Sequence, residues 1–297
     1  MCHLNFSKIF IVTPPGYVTG GVEAIFQFCD AINSQGGDCY LVFSNYHPNP
    51  IPDEYKRYKI KIGAIENSFE NLLIVPEIWP HLLDDPRFNS ITKAIWWLSI
   101  DNAVGRHSLD YSKDIIHFYQ SYYAESFLEE KKVQKKFPLF DYISEDYFTE
   151  RDLGDKKNII CYSIKGEQLA NSLKPLLPEY DFVMLKGMTR EEVIQTLMRS
   201  KVFIDFGSHP GKDRIPREAA ILGNCVITNK RGSANFVKDV GILEKYKIEN
   251  EETDKIVDII KDCIENYETR IGDFQEYRNT IISQKEEFFE QTKTLIK

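Results

Sequence analysis

Residues 201–232, KVFIDFGSHPGKDRIPREAAILGNCVITNKRG, decide how the whole chain is read. Residues 202–206 form a short apolar run, the pattern of a strand buried on both faces. Residues 207–214 then place His209, Lys212, Asp213 and Arg214 in a loop whose polarity keeps it out of the core. Pro216 marks a helix start, because proline is tolerated in the first turn. Arg217, Glu218, Ala219 and Ala220 continue that helix, Gly223 and Asn224 end it, and residues 225–228 are a second short strand. A loop that leaves a buried parallel strand and opens a helix is where open α/β sheets bind ligands. Backbone N–H groups at a helix start favour an anion there. Lys212 and Arg214 add to that preference.

Upstream, residues 158–162 (NIICY) form another strand, followed by Ser163, Lys165 and Gly166. A lysine at a strand end beside a helix start is either a phosphate ligand acting as a point charge or a solvated surface residue. Residues 167–177 read as helix and 181–185 as strand, with the loop Lys186-Gly187-Met188-Thr189 after it. Thr189 and Glu192 make a capping box for a helix over residues 190–200. Downstream, residues 235–237 open a short helix, and Lys230 and Arg231 add positive charge before it. From residue 251 the chain is helical: Ile256, Ile259, Ile260 and Ile264 give one apolar stripe, and residues 274–297 a second, highly charged helix.

The N-terminal half repeats the β/α rhythm. Residues 8–13 are a strand, Pro14-Pro15-Gly16 break it, and Val22, Ile25, Phe26, Cys29 and Ile32 recur at helical spacing after Gly20-Gly21. Gly36 and Gly37 end that helix and residues 40–43 are the next strand. This opening predicts a Rossmann-like half, although the dinucleotide pattern G-x-G-x-x-G is absent. Gly20 and Gly21 by themselves fit a tight turn that needs glycine. Further apolar runs at residues 58–62, 72–75, 94–100 and 115–119 end in polar residues, and a helix follows over 122–133. Glu77, Asp101, Asn102 and Ser121 are therefore rim candidates, each with a cap or turn role as the alternative. Trp79, Trp96 and Trp97 are core residues or sugar-stacking aromatics, the core role being the commoner one. Residues 137–155 look irregular and serve as the linker between halves.

At 297 residues the chain has room for two domains, and 42% hydrophobic with 13% aromatic residues supports real cores. A net charge of -8 argues against nucleic acid as partner. Six scattered cysteines without a C-x-x-C pair read as buried free thiols of a reducing compartment. No apolar run is long enough to span a bilayer, so membrane contact would be peripheral. The expected location is the cytoplasm, at the inner face of the membrane if the acceptor is lipid-linked.

The motif resembles the nucleotide-sugar site of GT-B glycosyltransferases, most of all glycosyltransferase family 4 (group 1). The residues that carry it are Phe203-Ile204-Asp205, Ser208, Pro216, Glu218-Ala219, Gly223, Val226-Ile227-Thr228 and Gly232-Ser233-Ala234. The resemblance implies an α/β fold of GT-B type, two Rossmann-like domains facing each other across a cleft. It assigns residues 1–150 to an acceptor domain, 151–272 to a nucleotide-sugar domain and 273–297 to a helix packing back on the first domain. Glu218 would hydrogen-bond the ribose. Gly20 and Gly21 would lie under the donor diphosphate, Lys165 would be one of the basic residues holding it, and Ser233 and Ala234 would bring backbone amides to it. The backbone of Gly187 and Met188 would pass the base. The family pattern has two glutamates separated by seven residues, and the first falls here at Pro210; the loop with His209 and Gly211 stands in its place.

Lys212 and Arg214 would stabilise the charge growing on the diphosphate as the glycosidic bond breaks. Asp101 would lie on the acceptor side. The resemblance implies retention of configuration, no metal (no D-x-D triad is present), no cofactor besides a nucleotide-diphosphate sugar as donor, and a glycan or lipid-linked acceptor, as in polysaccharide biosynthesis. A nucleotide-sugar epimerase and a non-catalytic nucleotide- or glycan-binding protein are the alternatives.

Overall fold

Runs of apolar residues with short polar punctuation build two separate parallel sheets, as seen in a computed structural model that describes residues 4–148, 156–249 and 252–297. The chain divides into two compact units, Met1–Tyr142 with Gln284–Lys297, and Ile143–Ser283.

The first unit holds six strands: β1 (Ile9–Thr13), β2 (Cys39–Phe43), β3 (Leu72–Pro76), β4 (Thr92–Trp97), β5 (Ile116–Tyr119) and β6 (Lys136–Pro138). Their order is β2-β1-β3-β4-β5-β6 and every pairing is parallel. Every residue of β1 and β3 is buried, as expected of a sheet covered on both faces. Alternation divides the side chains between two cores. Ile9, Ile11, Leu72, Ile74 and Trp96 pack with α1 (Gly20–Ser34), while Phe10, Val12, Leu73, Val75 and Trp97 pack with α2 (Tyr122–Glu130). Trp96 and Trp97 are thus core residues; their indole N–H groups donate to Leu139 O and His117 Nδ1, both at 3.0 Å. The chain's end belongs to this unit: Phe6 N donates to Leu295 O at 2.8 Å, Gln35 Nε2 to Thr292 Oγ1 at 2.8 Å, and Phe140 N to Gln291 Oε1 at 2.8 Å.

The second unit holds β7 (Lys157–Ser163), β8 (Asp181–Leu185), β9 (Ser200–Asp205), β10 (Cys225–Asn229) and β11 (Lys247–Ile248), in the order β11-β10-β9-β7-β8 and again all parallel. Its helices are α3 (Glu167–Leu173), α4 (Arg190–Arg199), α5 (Arg214–Ile221), α6 (Thr253–Glu265), α7 (Tyr267–Arg270) and α8 (Gln275–Lys293), the last passing into the first unit from Gln284. The capping box at Thr189 and Glu192 forms.

Several segments differ from the sequence reading. The helix expected over 122–133 ends at Glu130, because Lys132 adopts φ +58° and Val133 N bonds back to Leu128 O at 3.0 Å, a left-handed helix stop usually given to glycine. The helix over 167–177 tightens into a 3-10 turn at Lys174–Leu176, around Pro175. The segment read as an irregular linker from residue 137 includes β6, and residues 139–144 are buried; Pro138 is accommodated because β6 is an edge strand. Residues 149–155 of that segment lie outside the described residues. The short helix expected at 235–237 is instead a 3-10 turn at Gly232–Asn235. Among the described residues five cysteines (Cys29, Cys39, Cys161, Cys225, Cys263) are buried free thiols; Cys2 lies outside them. No described helix is long and apolar enough to cross a membrane.

Candidate functional site

The order β11-β10-β9-β7-β8 puts a topological switch between β7 and β9. From β7 the chain moves outward to β8, then returns to β9 on the other side. Loops leaving β7 and β9 at their carboxyl ends therefore diverge, and such a crevice is where open α/β sheets bind ligands. Three loops meet there: Lys165 and Gly166 after β7, residues 206–213 after β9, and residues 230–235 after β10.

The β9 loop was expected outside the core because of its polarity. The structure corrects this: His209 is fully buried, Gly211 and Lys212 are buried, and Asp213 is partly covered. Burial is tolerated because the polar groups are matched by neighbouring segments. Ser233 N donates to His209 O at 2.9 Å and Ser233 Oγ to Gly211 O at 2.6 Å. Asn229 Nδ2 donates to Gly207 O at 2.8 Å. From inside α5, the fully buried Arg217 donates Nη2 to Lys212 O at 2.9 Å and Nε to Asp213 O at 3.2 Å. Gly232 takes φ +50° and its Cα faces the carbonyl of His209, where a Cβ would collide with the oxygen. This loop is rigidly built.

Pro216 is the third residue of α5, which begins at Arg214. The first helical N–H groups have no intrahelical partner, so a proline within that turn costs no hydrogen bond.

Charge concentrates at the crevice. Lys165 Nζ donates to Asp213 Oδ2 and to Ser208 O, both at 3.1 Å. His209 Nδ1 lies 3.0 Å from the same Asp213 oxygen, and its Nε2 is 3.4 Å from Asp205 O. Burial alone would push the His209 pKa down; contact with Asp213 and the charge of Asp205 outweigh it, and the net shift is upward. Burial pushes Asp213 up as well, but His209 and Lys165 hold it below the usual carboxylate range. At Asp205 burial outweighs the nearby His209 and Lys165 and the bond from Gly207 N, and its pKa is raised. The ligating atoms of Asp205, His209 and Asp213 lie within 4.8 Å of one another, close enough to share a cation, and the Lys165 ammonium already stands 3.1 Å from Asp213 Oδ2.

Contacts among these loops bring together Lys165, His209, Gly211, Lys212 and Ser233, and Arg214 opens α5 directly after them. Glu218 is buried in α5 and Ala234 is a core residue beneath the β10 loop. Gly187 (φ +69°) and Met188 lie at the carboxyl end of β8, the strand beside β7. Gly20, Gly21 and Asp101 lie in the first unit. Gly20 and Gly21 open α1, whose cap is Thr19. Asp101 Oδ1 accepts from Arg106 Nη1 at 2.7 Å and from Tyr123 OH at 2.9 Å. Among the rim candidates, Ser121 caps α2 by accepting from Ala124 N at 3.1 Å. Glu77 is buried at the end of β3 and accepts from Leu98 N at 3.1 Å; burial pushes its pKa up to about 7.

Sequence reasoning missed Gly207, Asn229 and Arg217. Arg217 carried a signal: it is a charged residue inside a short helix between two buried strands.

No family model and no curated protein sequence matches the chain. Solved structures match it in fold. HepE of Anabaena, solved in complex with UDP and glucose, superposes with a TM-score of 0.70 at 10% identity, over 97% of this chain and 100% of that one. A glycosyltransferase from Rickettsia africae gives 0.68 at 15% identity, over 97% and 98%. Sucrose-phosphate synthase from Thermosynechococcus elongatus gives 0.69 at 11%, over 97% of each chain. At these identities the likeness carries the fold: the chain has the two-unit α/β architecture of GT-B glycosyltransferases.

Proposed function

We propose that the protein is a glycosyltransferase that moves a sugar from a nucleotide-diphosphate sugar to a glycan or lipid-linked acceptor, with retention of configuration and without a metal. The observation that carries the reading is the switch point between β7 and β9, with Lys165 on the loop after β7 and Lys212, Arg214 and the start of α5 following β9. Cations and helix-start amides suit a diphosphate, and they would stabilise the charge it gains as the sugar departs. Glu218, one turn into α5, is assigned to the ribose. Gly187 and Met188 would flank the base, and Ser233 and Ala234 the phosphates. On the first unit, Gly20 and Gly21 are assigned to the donor loop and Asp101 to the acceptor side. The fold neighbours are consistent with this chemistry, and HepE, solved with UDP, makes a uridine nucleotide the first to try.

The test is a thermal-shift screen against UDP, GDP, ADP, CMP and dTDP sugars, repeated with Glu218→Ala. A ligand well above its dissociation constant raises stability by RT ln(1 + [L]/Kd), about 2.7 kcal/mol at a hundredfold excess. The expected result is a shift with one nucleotide that Glu218→Ala abolishes. No shift with any of them, in a folded protein, would remove the donor site and the transferase reading with it. Slow hydrolysis of the bound donor without acceptor separates an enzyme from a binding protein.

A further inference from the structure

Lys165 is an exposed lysine that is nevertheless held from three directions. Its stem runs across Gly207, where any Cβ would collide with Lys165 Cβ and come within 2.8 Å of its Cδ. Its ammonium donates to Ser208 O and to Asp213 Oδ2, each at 3.1 Å. Asp213 occupies the N-cap position of α5, where an aspartate ordinarily turns its carboxylate onto an N–H of the first turn. It makes no such bond here, and the third helical residue, Pro216, has no N–H to offer. The carboxylate reaches instead to Lys165 and to His209, whose Nδ1 is 3.0 Å away. A lysine stem has several rotatable bonds, and a loose ammonium must lose that freedom before it can bind an anion.

We infer that Gly207 and Asp213 are positioning residues whose task is to preset the Lys165 ammonium in the crevice between β7 and β9 for the diphosphate of the donor. The inference rests on the function proposed above and deepens it. Placement must be separated from field, because removing the Asp213 charge would itself strengthen the attraction of an anion to Lys165. Gly207→Ala and Asp213→Glu leave the net charge unchanged and displace the lysine; Asp213→Glu also shifts the contact with His209, an effect that would persist in the Lys165→Met background.

The experiment is calorimetric titration of the full chain with UDP, GDP, ADP, CDP and dTDP, and with the matching nucleosides. The proteins are the wild type, Lys165→Met, Gly207→Ala, Asp213→Glu, and each of the last two combined with Lys165→Met. The wild type takes up one nucleoside diphosphate. Gly207→Ala and Asp213→Glu each weaken it by roughly tenfold, the scale of one hydrogen bond to a charged group. Nucleoside affinity does not move, and neither change adds to the loss in the Lys165→Met protein. Circular dichroism checks folding, and Asp213→Glu carries the test if Gly207→Ala does not fold. Variants that bind as the wild type does, or that lose the same factor without Lys165, overturn the inference. A folded wild type that binds no nucleoside diphosphate overturns the proposed function and this inference together, a result distinct from either.

Discussion

Replacing Gly232 by alanine measures how firmly the β10 loop locks the β9 loop, with Gly187→Ala as its internal control. Both glycines have positive φ, +50° and +69°, so an L-residue at either costs about 1–2 kcal/mol of backbone strain. Around Gly187 an added Cβ meets nothing within 4 Å. At Gly232 the new Cβ collides with the carbonyl oxygen of His209 and lies 2.8 Å from its carbon. Backbone must then move, and the bonds Ser233 N–H to His209 O at 2.9 Å and Ser233 Oγ–H to Gly211 O at 2.6 Å are the ones stretched. Losing two such bonds costs about 2 kcal/mol, at about 1 kcal/mol each. Gly232→Ala should therefore destabilise by about 3–4 kcal/mol and Gly187→Ala by about 1–2 kcal/mol. Both residues belong to the second unit, so urea denaturation of that unit reports both on the same footing. Equal losses, within about 0.5 kcal/mol, would refute the claim that contact with His209, and not backbone strain, demands glycine at 232.

The buried Glu77 should make stability depend on pH. Its folded pKa, raised to about 7, lies above its value in the unfolded chain, so its contribution is complete below about pH 4.5 and lost as pH rises through 7. Unfolding free energy should fall by up to about 3 kcal/mol from that pH range to pH 8, and Glu77→Gln should flatten the slope in urea melts taken at each pH. Arg217→Lys keeps the charge but cannot reach the carbonyls of Lys212 and Asp213 with a rigid fork; a loss of about 1–2 kcal/mol in denaturant unfolding is expected. Arg217→Ala leaves buried acceptors unmatched and should cost about 3 kcal/mol or more in the same assay.

Much of the architecture was legible locally. Most apolar runs of four to seven residues ending in Gly, Pro or polar residues marked parallel strands, because a strand covered on both faces must be apolar throughout, but the run at 58–62 forms none and touches β2 only through a bridge from Ile62 to Leu41. The Thr189 capping box and the Gly223 helix stop were likewise readable from spacing alone. The misses have local causes. Lys132 ends α2 in a conformation that composition assigns to glycine, and β6 is three residues long with a proline inside it. The cationic loops were legible as chemistry: Lys165, Lys212 and Arg214 stood out by residue type near strand ends, whereas Glu218 was singled out only through the family resemblance.

What the sequence by itself determined is the alternation of strand and helix, the parallel sheets it requires, and a cationic loop opening a helix after β9. Only the tertiary structure decided that this polar loop is buried, that Arg217 lies inside supporting it, and that Lys165 is clasped by Gly207 and Asp213. The physical reason is range. An apolar run announces its own burial, because transfer from water needs no partner. A polar or charged group can be buried only where a partner waits, and here the partners, Gly211 O in the β9 loop and Ser233 Oγ in the β10 loop, are 22 residues apart in the chain.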